Sequence, residues 1–269
     1  MRKQCIVRID NGVCPIPEFA MRHPFSLQLL EGEQIAITGP NGGGKTMLVD
    51  ILRSRHNLQI PQPYYDFSPS SKPYFSDNIR YIAFRDSYGS VDQTYFLQQR
   101  WESQEMDPEM PTVGQLLDRA YLAEGEDTPE RDSLRQQLYD IFQMRPLLDK
   151  PIILLSSGEL RKYVITRTLF AEARLLIIDN PFIGLDASTR DQLKMLLAAY
   201  VARTSTLMVL VLSKTDDIPD FITHVVEVND RTVAPKVTRE EYLDNLQAVT
   251  LPSLADDKRL SILPLPART

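Results

Sequence analysis

At 269 residues, with 43% hydrophobic and 25% charged, the chain has the apolar content for a full core, in one large domain or two small ones. A net charge of −6 argues against an extended basic surface and so against nucleic acid as a partner. The longest apolar runs, 175–178 and 207–212, fall far short of the roughly 20 residues a membrane-spanning helix needs. The start, MRKQCIVRIDNG, lacks the sustained apolar region of a secretory signal, and Cys5 and Cys14 make neither a disulfide framework nor a zinc site. The expected compartment is the cytoplasm.

In chain order, Gln34 to Thr38 (QIAIT) reads as a short strand running into a glycine-rich turn, and Met47, Leu48, Ile51 and Leu52 continue as a helix. Between them, Gly39-Pro40-Asn41-Gly42-Gly43-Gly44-Lys45-Thr46 fits the pattern GxxxxGK[ST]. In that pattern glycines let successive N–H groups point at phosphates, and the following helix directs its positive end there. Lys45 is expected to reach the β and γ phosphates, Thr46 to hold Mg²⁺, and Met47 to continue the nucleotide contact.

From residue 57 to 75, Pro61, Pro63, Pro69 and Pro73 remove ladder donors and interrupt helices, which predicts irregular or edge structure. Thr112 and Gln115 form a capping box before Leu116, Leu117 and Tyr121, and Leu134, Leu138, Ile141 and Phe142 repeat at helical spacing. Downstream follow a helix on Leu160, Val164, Ile165 and Leu169, a strand at 175–178, a helix near 187–202, and β-rich runs at 207–212 and 222–228. Such alternation implies parallel strands with crossover helices. The tail from about Thr238 opens with a short helix and ends in LPLPART, whose prolines fit an extended linker.

A second motif narrows the choice among phosphate-loop proteins. Leu155-Ser156-Ser157-Gly158-Glu159, followed by Leu160-Arg161-Lys162, lies between the phosphate loop and an apolar strand ending in Asp179. By itself LSSGE is also an ordinary helix cap. Leu175-Leu-Ile-Ile-Asp179 reads as a hydrophobic strand that delivers a carboxylate toward Mg²⁺.

Together these motifs resemble those of the ATP-binding cassette (ABC) family over roughly residues 5 to 234. Within it, LSSGELRK, NPFIGLD and VLVLSKTDDIPDF are similar to the first half of ModF-like tandem cassettes, associated with molybdate transport or photorepair. The resemblance implies an α/β P-loop NTPase with a mostly parallel central sheet, an N-terminal antiparallel β part and a helical signature subdomain at about 86–165. The cassette is expected over 1–237, with the tail at 238–269. It also implies ATP and Mg²⁺ as ligands, with Thr46 and Asp179 at the metal. Ser156, Ser157, Gly158, Glu159 and Asp186 would be offered to the ATP of a partner cassette, which is a tandem half, an identical copy or a different one. A membrane permease is a further implied partner, placing the chain on the inner face of the plasma membrane.

The family pattern is broken at four places. The residue after Asp179, a Glu in an active site, is Asn180, which orients water but accepts no proton. The switch histidine is replaced by Ser213, with Lys214 beside it. The Q-loop glutamine aligns with Phe84, leaving Arg85 and Asp86 as the nearest polar groups. The adenine-stacking aromatic falls near Val13, with Cys14 and Ile16 adjacent. The expectation is an ATP-binding subunit with weak hydrolysis at its own site; the alternative is a soluble, non-transport ABC ATPase in DNA repair or translation.

Overall fold

The computed structural model describes residues 3–59, 61–84, 110–213 and 218–250, the side chains of 249 and 250 excepted. Arg85, Asp86, Lys214 and the LPLPART end of the tail therefore lie outside the described residues.

Three strands carry the continuous apolar runs that only a sheet covered on both faces supports. These are β3 (Gln34–Thr38), β6 (Leu175–Asp179) and β7 (Leu207–Val211), and nearly every residue in them is buried. With β5 (Ile79–Ala83) and β8 (His224–Asn229) they form a parallel array in the order β8-β3-β7-β6-β5. Two short antiparallel strands, β9 (Thr232–Val233) and β10 (Val237–Thr238), pair with β8.

Because side chains alternate along a strand, each central strand feeds two cores. Ile35, Ile37, Leu175, Ile177, Leu207 and Val209 pack on one face with helix α1 (Lys45–Leu52), contributing Leu48, Val49, Ile51 and Leu52. That face is closed by an antiparallel sheet of β2 (Phe25–Leu30), β1 (Cys5–Gly12) and β4 (Tyr64–Tyr65), whose alternating burial marks one dry and one wet side. The two-residue β4 is the edge piece that the proline-rich segment leaves.

Ala36, Leu176, Ile178, Met208 and Leu210 point to the opposite face, where the helices collect. After the short α2 (Phe75–Asn78) come α3 (Val113–Ala123), α4 (Pro129–Ile141), α5 (Ser157–Leu169) and α6 (Ala187–Val201). The Thr112–Gln115 capping box forms in both directions at the start of α3. The segment read as a tail begins as α7 (Arg239–Thr250), and it is docked: Tyr242 is buried and its hydroxyl accepts from Thr38 Oγ1 at 3.1 Å.

Candidate nucleotide-binding site

The loop between β3 and α1 is a run of left-handed turns that only glycine accepts without strain. Gly39, Gly42 and Gly44 have φ of 136°, 76° and 105°. At Gly39 the need is also steric, since a Cβ there would sit 2.0 Å from the Val228 carbonyl oxygen. No side chain caps α1, so its first N–H groups are left for a ligand at the helix's positive end. Lys45 Nζ folds back over the loop, donating to the Gly39 and Pro40 carbonyls at 2.7 and 2.9 Å. Burial lowers its pKa, and the Asp179 carboxylate opposes that shift. Thr46 is exposed on the first helical turn.

Asp179 ends β6, level with Val211 on β7, which is level with Ile37 on β3. One strand thus separates the carboxylate from the phosphate loop, an opening of about 10 Å at the usual interstrand spacing. Tyr81, not singled out in the sequence, donates its hydroxyl to Asp179 Oδ2 at 3.0 Å. Burial, then the Asp179 charge, raises the Tyr81 pKa, so the phenol stays a donor; the Arg53 guanidinium lies 3.9 Å from its ring centre. Thr46 and Asp179 offer the hard oxygen ligands that suit Mg²⁺.

Asn180 turns the chain sharply. Its φ is 51°, a region Asn tolerates better than most residues. Its N–H donates to the Val211 carbonyl at 2.9 Å, and its own carbonyl accepts from Ile183 N–H at 3.3 Å. Asn180 and Ser213, far apart in sequence, line one cavity of about 110 Å³ together with Arg190 of α6, a residue the sequence reading did not single out.

Phe84 is not a polar lining residue. It is buried, its N–H bonds the Asp179 carbonyl at 2.9 Å, and the Arg161 guanidinium lies over its ring at 5.2 Å. Arg161 Nη2 also donates to the Ile183 carbonyl, which ties α5 to the turn after Asp179.

LSSGE forms a reciprocal capping box at the start of α5. Ser156 Oγ accepts from Glu159 N–H at 3.2 Å, and Ser156 N–H donates to Glu159 Oε2 at 2.7 Å. Burial would raise the Glu159 pKa, but Lys150 at 2.9 Å and the Ser156 N–H outweigh it and hold the carboxyl below its ordinary value. Asp186 caps α6 through Thr189 N–H at 3.0 Å. A Cβ on Gly158 would meet Thr189 Cγ2 at 2.5 Å, so the glycine is what lets the two helix starts approach. Ser156, Ser157 and Asp186 are all exposed.

Val13 is half-buried and its carbonyl accepts from Gln59 N–H at 2.7 Å. The larger cavity beside the phosphate loop, about 480 Å³, is lined instead by Pro17, Ala20, Met21, Arg22, Asp230 and Arg231. Arg231 N–H donates to the Gly43 carbonyl, and Arg22 N–H to the Arg231 carbonyl, both at 2.8 Å. Arg22 also pairs with Asp230 at 2.5 Å. The two cysteines are unpaired, His56 stacks on Phe19 with ring centres 4.0 Å apart, and His224 lies 3.6 Å from Glu33.

A parallel sheet whose central strand runs through a glycine loop into a helix, with a carboxylate delivered one strand beyond, defines a P-loop NTPase of the α/β class. The model of the family described as ABC transporter matches residues 23–183, more than half the chain, and the chain belongs to that family. It is 30% identical over 240 residues to the ABC transporter ATP-binding protein ModF of Escherichia coli, covering 89% of this chain and 45% of that protein. It is 26% identical over 209 residues to the manganese transport system ATP-binding protein MntB of Bacillus subtilis, covering 76% of each. The first of the curated relatives are about twice its length, since the chain spans 45% and 48% of them. Among solved structures, cbiO1 of Clostridium perfringens superposes with a TM-score of 0.71 at 18% identity, covering 92% of this chain and 94% of that one. The ADP conformation of the cassette MJ1267 superposes at 0.70 and 17%, covering 91% and 95%. Membership in the family implies nucleotide binding. Among the described residues, no helix is long and apolar enough to cross a membrane.

Proposed function

We propose that the chain binds Mg-ATP through Gly39 to Thr46 and Asp179, pairs head to tail with a second cassette across the nucleotide, and hydrolyses its own ATP slowly. The observation that carries this reading is the contrast around β7. The loop, Lys45, Thr46 and Asp179 form a full phosphate and metal environment, whereas the positions where water is activated hold Asn180 and Ser213. When bound, Mg²⁺ neutralises charge on the β and γ phosphates.

The cavity between Met21 and Arg231 takes the nucleoside. It adjoins the loop at Gly43 and has apolar surface from Ala20 and Met21. Ser156, Ser157 and Asp186, exposed at two adjoining helix starts, and the half-buried Gly158 between them are presented to the partner's γ-phosphate. In the tandem arrangement that relatives of twice the length suggest, this half holds ATP and completes an active site in the other half. A membrane permease is the further partner of such an assembly.

Titrating the full chain with mant-ATP and Mg²⁺ tests the binding. Saturable binding with negligible turnover is expected, and Lys45→Ala is expected to weaken it about 10- to 100-fold, the effect of losing a charged hydrogen-bond donor. Hydrolysis by the purified chain at ordinary transporter rates, or no nucleotide binding, overturns the reading.

A further inference from the structure

The backbone of Asp179 is fixed from both sides. Phe84 N–H bonds its carbonyl at 2.9 Å, and the residue stands level with Ala83 on β5 and Val211 on β7. Those contacts set where the side chain starts, but the last torsion of an aspartate is broad and roughly two-fold, so what the oxygens touch decides where they point. Ala83, directly across on β5, brings no polar side-chain atom. Tyr81, two residues earlier on the same face of β5 and level with Ile177, reaches diagonally along the sheet and donates its hydroxyl to Asp179 Oδ2 at 3.0 Å. An ionised carboxylate only accepts and a phenol donates, so the contact is charge-assisted.

Tyr81 is itself braced. The Arg53 guanidinium, at the carboxyl end of α1, lies 3.9 Å from the centre of its ring, and Arg53 Nη1 pairs with Asp50 Oδ1 of the same helix at 3.4 Å. The side chains of that pair are only 16% and 20% exposed, which steadies the guanidinium over the ring. A continuous line of contacts thus runs from Asp50 through Arg53 and Tyr81 to Asp179. The helix whose first turn carries Lys45 and Thr46 braces, at its other end, the hydroxyl aimed at the carboxylate.

We propose that Tyr81 is a positioning residue for the metal: it orients the Asp179 carboxylate toward the cation that accompanies the nucleotide, with Arg53 as its brace. The proposal rests on the Mg-ATP reading above and adds these two residues to it. A carboxylate aimed in advance loses little rotational freedom when the cation arrives, and the affinity for the cation rises accordingly.

The test titrates Mn²⁺, followed by electron paramagnetic resonance, into the full chain held in excess over ADP, and measures mant-ADP affinity in EDTA in parallel. Tyr81→Phe keeps the ring over which Arg53 lies and removes only the hydroxyl. It is expected to raise the Mn²⁺ concentration for half-saturation about 10-fold, the size of effect that follows loss of a hydrogen bond behind a metal ligand. The line shape of the bound ion is expected to change as well, while mant-ADP affinity in EDTA stays at the wild-type value. Equal Mn²⁺ half-saturation in wild type and variant overturns the proposal. So does an equal fall in nucleotide affinity with and without the cation, which marks a purely structural role. Should Tyr81→Phe fail to fold by circular dichroism, Arg53→Leu takes its place: a several-fold loss of Mn²⁺ affinity is expected, and no loss overturns the proposal. A wild-type chain that binds no mant-ADP, or binds it without taking up Mn²⁺, overturns the nucleotide reading instead, which separates the two failures.

Discussion

Two places along the carboxyl edge of the parallel sheet, the end of β3 and the ends of β7 and β6 beside it, follow the family's chemistry to different degrees. At the end of β3 every element needed to hold phosphates is present: left-handed glycines, an uncapped helix start, a lysine folded over the loop and a hydroxyl on the first turn. At the ends of β6 and β7 the backbone frame is kept, with Asp179 in register and Asn180 bonded to Val211, but the proton-accepting side chains are gone. On the proposed reading, holding a nucleotide and cleaving it are separate layers on one scaffold. The first is written in backbone geometry; the second depends on two or three side chains that change without disturbing the fold.

The sharpest way to break this contrast is Asn180→Glu. Supplying a general base is expected to raise ATP turnover by about 10²-fold or more, against a cost of about 1 kcal/mol for placing Glu at φ 51°. A steady-state phosphate-release assay on the full chain reads the result, and an unchanged rate moves the deficit to Ser213 or Phe84. Next in size is Gly39→Ala. Its Cβ would overlap the Val228 carbonyl oxygen at a left-handed φ, so a loss of about 3 kcal/mol in urea unfolding is expected, with nucleotide binding lost alongside. A neutral result would mean that the loop does not hold this geometry.

Smaller effects sharpen the partner-facing side. Ser156→Ala removes the cap of α5 and is expected to cost about 1 kcal/mol in unfolding stability while leaving mant-ATP affinity in place. Glu159 supplies a pH signature. Its folded pKa is below the unfolded value, so its contribution is fully present above the ordinary glutamate range and fades as pH falls through the lower folded value. Acid unfolding of Glu159→Gln should show a shallower decline in that window than wild type, and a matching slope would deny the Lys150–Glu159 contact any share in stability.

What the sequence disclosed was mostly local. A strand, a glycine loop and a helix in immediate succession, the Thr112–Gln115 capping box and the helix cap at LSSGE are set by neighbours in the chain, and all were legible; that LSSGE closes a reciprocal box came from the structure. The hairpin joining β8 to β9 was not. Its two-residue turn, Asp230-Arg231, has both φ values positive at 46° and 57° but no Asn-Gly or Asp-Gly signal. Arg231 is held there by its backbone bonds to Gly43 and Arg22, contacts made only after the fold closes. For the same reason the cavity beside the loop, between residues 17–22 and 230–231, went unnoticed, the adenine contact being expected near Val13. Tyr81 on Asp179 and Arg190 beside Asn180 escaped notice as well, since neither residue type marks a site until the sheet brings its partner alongside.

The stack of Arg161 on Phe84 couples those two positions. Among the described residues Arg161 is 7% exposed, and its Nε and Nη1 have no hydrogen-bond acceptor, so the aromatic face is part of what makes a buried cation tolerable. Exchanging Phe84 for glutamine in order to rebuild the family's Q-loop would withdraw that face and leave the guanidinium beneath it poorly compensated. The route back therefore has an order: Arg161 must change first or at the same time, and an engineer who swaps residue 84 alone will be testing the packing of α5 rather than the chemistry of ATP.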